Sequence, residues 1–218
     1  MPPRKAFMVN HLRLNSPEVE VESIKKDVLN AKNRGADLVI LITHAGNAYQ
    51  PYPSWHTVEI YHHIFDTCGV DVILGTHPHN PQPMEKYTFT CPFEKVTKQG
   101  FVIYSLGDFI AYDIFIWGRL IPLLKMTVQQ GLLNQRKHTQ LTKVEVLPVY
   151  NWGQKDLSKG KELRLLDFYQ LLDSIARNDP PAFLSPLCLR EVATLQYFWE
   201  NYFLSNSQKE AYAVSNRA

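Results

Sequence analysis

The sequence predicts an α/β protein in which parallel strands pass into a mixed or antiparallel region, with two helices toward the C-terminal end. Three observations carry that prediction. Amphipathic stretches of helical period alternate with short apolar runs from residue 5 to residue 75. Four strand-like runs then follow with no helix between them. Helical spacing returns twice in the last third of the chain.

The elements follow in order. "KAFMV" (5–9) is a short apolar strand. "SPEVEVESIKKDVLNAKNRG" reads as a helix, with Val21, Ile24, Val28 and Ala31 at helical spacing. Ser16 suits its N-cap, Pro17 its first turn and Gly35 its stop. "ADLVILIT" (36–43) is a continuous apolar run, as expected of a strand buried on both faces. "SWHTVEIYHHIFDTCG" is a second helix, with Trp55, Val58, Tyr61, Phe65 and Cys68 on one stripe. "VDVILG" (70–75) is the next buried strand. This alternation implies parallel strands joined by right-handed crossovers. "MEKYTFT", "GFVIYSLG", "IPLLKMTVQQ" and "QLTKVEVLPVY" are the four later strands. "YNWGQKDLSKGKE" reads as a polar loop, "LRLLDFYQLLDSIARN" as a helix stopped by "DPP", and "LCLREVATLQYFWENYF" as an aromatic-rich helix. The last dozen residues are polar and expected to fray.

Composition removes several function classes. The 218 residues suffice for a domain with a real core. A formal charge of +2 with scattered basic residues gives no footprint for nucleic acid, so no such partner is expected. Cys68, Cys91 and Cys188 are far apart and odd in number, which argues against a disulfide framework and a Cys-rich zinc site. Cys68 is expected in the core. No run of 18 apolar residues occurs, and "MPPRKAFMVN" has no signal-type apolar region. The chain as given is expected to be soluble, with its location otherwise open.

Chemistry concentrates in the histidines. "RGADLVILITH" and "CGVDVILGTH" share one grammar: a Gly, an Asp opening the strand, an apolar strand, then Thr-His. His44 and His77 are therefore expected at the carboxyl ends of buried parallel strands, the edge at which open α/β sheets place ligands. Neighbouring strands lie ~4.8 Å apart, so the two rings can converge on one ion. His79 can join from the same loop, stiffened by Pro78. Imidazole suits divalent transition metals. The alternative is three loop histidines bonded to backbone or water. His56 and His63 share a helix face with Glu59 and are expected to face solvent; His62 is expected to pack; His11 and His138 have no partner in sequence. Glu85 and Asp108 are the acidic candidates. Asp108 can serve as a ligand, as a carboxylate partner to a histidine, or as a turn former. Asp37 and Asp71 open their strands at the opposite end and read as structural. No nucleophile elbow, Walker loop or dinucleotide fingerprint is present.

"DLVILITHAGNAYQPYP", "GVDVILGTHPHNPQPMEKY" and "VIYSLGDFI", in this order, resemble the bacterial capsule-synthesis CapA family, the poly-gamma-glutamate group of the calcineurin-like metallophosphatase superfamily. The family pattern reads H-W-G-x-E-Y, then G-x-H-P-H-x-x-Q-P-x-E, then Y-S-L-G-N-F. The match is firm over residues 36–110, extends back to "KAFMVNHLRLN" and thins beyond residue 150. The resemblance implies a β-sandwich of two mixed sheets flanked by helices. It implies that His44, His77 and His79 are metal ligands, with Gly75 and Pro78 shaping their loop and Asp108 a fourth site residue. It implies divalent ions (Mn, Fe or Zn) that activate water and bind phosphate oxygens. The implied substrate is a small molecule or polymer, phosphoester or polyglutamate in type. Capsule-synthesis proteins are the implied partners, and the family is often membrane-associated or extracellular. Residues 1–150 are then the C-terminal portion of the family domain, 151–204 a helical extension and 205–218 a flexible tail.

Three departures matter. The family's Trp and Glu are Ala45 and Ala48, its Asn is Asp108, and residues 1–35 hold neither the G-D strand motif nor the N-x-E motif that bring further ligands. Three readings follow: a metal-dependent hydrolase completed by a missing front half; a non-catalytic member that binds polymer or partner proteins in envelope assembly; and a plain α/β domain with incidental histidines.

Overall fold

The computed structural model describes residues 10–16, 19–110, 115–133, 135–156, 160–204, 207 and 213–214. The strand expected at 5–9 and the first-turn role of Pro17 lie outside the described residues. Among the described residues, four α-helices and eight strands follow in the order α1 (Glu22–Asn33), β1 (Ile40–His44), α2 (Trp55–Cys68), β2 (Val72–Thr76), β3 (Pro81–Thr90), β4 (Thr97–Leu106), β5 (Leu120–Leu133), β6 (Arg136–Asp156), β7 (Gly160–Asp167), α3 (Phe168–Ala176), α4 (Pro186–Phe198) and β8 (Ala213–Val214), the strands in two sheets. The first sheet has the order β1-β2-β4-β3, with β1, β2 and β4 parallel and β3 antiparallel to β4. The second is β5-β6-β7, antiparallel, with β8 beside β6. This is the mixed α/β architecture expected of a metallophosphatase-like fold.

Alternation along the central strands divides the core into two layers. Ile73, Val102 and Tyr104 face the helical layer, where they meet Ile24 and Val28 of α1 and Tyr61, Ile64, Phe65 and Cys68 of α2. Val72, Phe101 and Ile103 face the second sheet, where they meet Leu120, Val144, Val146 and Tyr150, with Phe168, Leu195 and Phe198 of α3 and α4 closing the layer. Burial pushes the Cys68 thiol up to about 11, as befits a core cysteine rather than a reactive one.

Several elements depart from expectation. α1 starts at Glu22 with Val21 as its cap residue, five residues after Pro17, so Ser16 caps nothing. Trp55 opens α2 76% exposed instead of joining the stripe; Ile64 takes the buried place, and Ser54 caps the helix by accepting from the Thr57 amide. β1 is not buried on both faces. Leu41 and Thr43 face the helices, but Ile40 and Ile42 are 42% and 69% exposed, because among the described residues only β2 pairs with β1. The described residues of the expected polar loop 150–162 belong to β6 and β7, and residues 163–167, expected as helix, are strand. Asp167 then caps α3 by accepting from the Gln170 amide. The stretch 151–204, expected as helical, thus opens on strand. α4 passes into a π-helical turn, Trp199–Leu204, below which Ser207 is buried and accepts from the Met84 amide of β3. Within the tail expected to fray, Ser207 and the two residues of β8 are therefore held.

An edge strand with exposed isoleucines is a template for pairing between chains. The protein is expected to self-associate as its concentration rises, and Ile42→Lys to shift it toward monomer with an unchanged far-UV circular dichroism spectrum. Sedimentation velocity checks this; two monomeric profiles over the same range would reject β1 as a sticky edge.

Candidate functional site

The candidate site is built where β1 and β2 end together. Their register sets Thr43 beside Gly75 and His44 beside Thr76. The two Thr-His pairs are thus offset by one residue, and His77 stands one step beyond His44. The offset brings the rings together edge to face: His77 Nδ1 lies 3.1 Å from His44 Nε2, with ring centroids 4.8 Å apart. His79 stands behind His77 at 6.1 Å between centroids.

The loop carrying these rings is strained and tied down. His77 and His79 have φ of +103° and +67°, a region that side-chain-bearing residues seldom occupy. Such a backbone persists where its surroundings over-determine it. Here the Tyr49 amide donates to Pro78 O (2.9 Å), and the Ala45 amide to Thr76 O (3.1 Å). The side-chain amides of Asn80 and Gln82 both donate to Gln50 O, at 2.8 and 2.9 Å. The loop after β1 and the H-P-H loop are one bonded unit. Asn15 adds a clamp, exchanging two hydrogen bonds with the Gly46 backbone (2.9 and 3.1 Å).

Asp108 contacts a histidine: its Oδ2 is 2.9 Å from His79 Nδ1. That contact makes Nδ1 the donor and puts the neutral ring's lone pair on Nε2. Gly107, at φ +69°, makes the turn that delivers the carboxylate. Tyr49 stacks on the His79 ring at 5.1 Å, and Phe115 packs on Tyr49 at 4.3 Å. Ala45 is buried, and Tyr49 gives His79 an aromatic wall. Burial, and after it the proximity of His44 and His79, holds the His77 imidazole below its ordinary pKa. It therefore favours the neutral form that a metal ligand needs.

Glu85, the second acidic candidate, does not join. It bonds His62 and accepts from Tyr104 Oη at 2.5 Å, while His62 stacks on Tyr87. His62 therefore packs, as expected. His56 does not face open solvent; it lies partly buried against Leu14 O at 3.2 Å. Asp71 is structural, as expected: it accepts from the Val39 amide and pairs with Lys32 and Lys98.

The donors suit part of a metal site. Two nitrogens bound to one tetrahedral ion at about 2.1 Å stand roughly 3.4 Å apart, close to the His44–His77 separation. Among the described residues no group of three or more His, Cys, Asp or Glu side chains surrounds a common point as a metal ion requires. His44 and His77 are thus a close pair, with His79 adjacent. A cleft of about 520 Å³ runs along β1 from Asn10 to His44 and Thr76.

Sequence reasoning missed Asn15, Tyr49, Thr76, Asn80 and Gln82. Thr76 carried a signal, the repeated threonine before each histidine, and Tyr49 and Gln82 stand at fixed positions of the family patterns; Asn15 and Asn80 act through backbone contacts that leave no periodic trace. Gly75 has a definite cause: a Cβ there would lie 2.0 Å from Tyr104 O of β4. Gly75→Ala is expected to lower stability by at least about 3 kcal/mol, the top of the overpacking range, in urea denaturation. An unchanged midpoint would mean that β2 and β4 can separate at this level.

The family model described as Bacterial capsule synthesis protein PGA_cap matches residues 2–113. The Capsule biosynthesis protein CapA of Bacillus anthracis is 35% identical over 95 residues, which are 44% of this chain and 20% of that protein. The PGA biosynthesis protein CapA of Bacillus subtilis (strain 168) is 30% identical over 83 residues, 38% of this chain and 19% of that protein. The matched region thus spans about a fifth of the length of these curated relatives.

Proposed function

The chain belongs to the bacterial capsule synthesis family PGA_cap, and from that premise we propose that it serves capsule or poly-gamma-glutamate synthesis as the histidine-bearing part of a metal-dependent hydrolase. The observation that carries this reading is the 3.1 Å approach of His44 and His77 at the ends of adjacent parallel strands. In this reading residues 1–150 are the C-terminal portion of the family domain and 151–204 an extension packed on it. His44 through Nε2 and His77 through Nδ1 hold a divalent ion (Mn, Fe or Zn). His79, oriented by Asp108 and stacked on Tyr49, adds a third ligating nitrogen. When bound, such an ion lowers the pKa of water toward neutrality and polarises a phosphoryl or carbonyl oxygen. The chain's own part is to keep the three rings oriented and mutually close and to favour the neutral form of His77. The substrate is a phosphoester or a polyglutamate-type amide, and capsule-synthesis proteins are its partners.

A second reading has its own support. Ala45 and Ala48 stand where the family has Trp and Glu, and no group of three or more potential ligands closes around a point among the described residues. Both favour a non-catalytic member that binds polymer or partner proteins in envelope assembly.

Metal analysis of purified protein separates the readings. Wild type is expected to retain divalent metal, and the double variant His77→Ala/His79→Ala to lose it. Near-zero metal in both rejects the metal reading. Metal that is retained without hydrolysis of an aryl phosphodiester or of poly-gamma-glutamate selects the non-catalytic one.

A further inference from the structure

We infer that Thr76 is a positioning residue that fixes the tautomer of His44, so that His44 presents the lone pair of Nε2 toward His77. The inference deepens the metal-site reading and rests on it for purpose, but not for evidence. Thr76 Oγ1 lies 2.7 Å from Thr43 O and 3.2 Å from His44 Nδ1. A hydroxyl has one proton, and a carbonyl oxygen only accepts. The short contact therefore takes the threonine proton. Toward His44 the hydroxyl has only lone pairs to offer, so Nδ1 must carry the hydrogen.

The consequence propagates. With its hydrogen on Nδ1, neutral His44 has its lone pair on Nε2, the atom 3.1 Å from His77 Nδ1. In the metal-free protein His77 then donates from Nδ1, a hydrogen it would give up to ligate there, and one directed chain runs from His77 through His44 and Thr76 to the β1 carbonyl of Thr43. Hydrogen bonds in such a chain polarise one another. Metal-ligating histidines commonly donate their other N–H to an oxygen that sets ring orientation. Here that oxygen belongs to a side chain whose own proton is committed to backbone. The one-residue offset of the strands makes this possible, because it sets Thr76, and not Gly75, beside His44. Thr43 plays no such part: its hydroxyl lies 2.5 Å from Tyr61 Oη in the helical layer.

The test is long-range ¹H–¹⁵N NMR on ¹⁵N-histidine-labelled, metal-free protein at about pH 8.5, where an unperturbed imidazole is neutral. Wild-type His44 is expected in the Nδ1–H form, which is the minor tautomer of free histidine. Thr76→Val should shift it toward Nε2–H, and Thr76→Ser, which keeps the hydroxyl, should restore Nδ1–H. Thr76→Ala removes the hydroxyl without adding bulk and serves if the valine variant does not fold. Wild-type His44 in the Nε2–H form overturns the inference, as does an unchanged tautomer in Thr76→Val or Thr76→Ala. A serine variant that behaves like valine also overturns it. As a second arm, zinc titration of wild type and variants is expected to show a 10- to 100-fold loss of affinity without the hydroxyl and recovery with serine. If wild type binds no zinc, the metal reading fails, while the NMR arm still decides the role of Thr76.

Discussion

The register between β1 and β2 is the constraint on which the site depends. It is set at the far end of the strands. The Asp71 carboxylate accepts from the Val39 amide at 2.8 Å, while the amides of Asp71 and Val72 donate to Val39 O at 3.0 and 3.2 Å. A slip of one residue would break this clamp and turn every side chain of β1 to the opposite face. It would also lose the pairing of His44 with Thr76. Lys32 and Lys98 balance the buried Asp71 charge, at 3.3 and 3.4 Å. Removing one member of such a set leaves an unpaired buried charge. An ion cluster at one rim of the sheet thus decides which groups meet at the other.

Strain is distributed in the same polar fashion. The sheet interior is regular and apolar, with Val72, Ile73, Phe101, Val102 and Ile103 all fully or almost fully buried. Three side-chain-bearing residues of positive φ, Tyr49, His77 and His79, gather at the carboxyl rim. Each costs on the order of 1–3 kcal/mol. Bonds between loops offset that cost: Asn80 and Gln82 share one carbonyl, and Tyr49 both donates to Pro78 O and stacks on His79. The aromatic contact and the backbone bond come from one residue, so the ring that walls His79 also holds the loop that carries it.

The sequence made legible whatever depended on local period. α2, β2 and β4 have strong patterns, and the repeated Thr-His grammar was enough to bring His44 and His77 to one edge. It failed where a neighbour decides the outcome. "ADLVILIT" has the composition of a buried strand, but no pattern within it says that only one strand pairs beside it. Residues 163–167 alternate too briefly to be told from helix; their pairing with β6, Val149 opposite Asp167, makes them strand. The grammar itself misled by one residue. It suggested equivalent histidines, whereas the register makes Thr76 the neighbour of His44, and so hid the residue most closely tied to that ring.

The open approach to His44 and the edge position of β1 among the described residues are one property seen twice. His44 lies on the same face of β1 as the exposed Ile40 and Ile42, and the cleft along this strand ends at His44 and Thr76. In the metal reading an ion on His44, His77 and His79 would need one more donor to be tetrahedral. On the side away from β1, Asp108 and Tyr49 contact His79 and Phe115 packs on Tyr49. The cleft gives water, substrate oxygens or another polypeptide segment a way to His44 along β1. A segment that paired with β1 would cover the two isoleucines and bring its own strand end level with His44, as β2 brings Thr76. Pairing at this one edge would thus act at once on the exposed isoleucines and on the approach to His44.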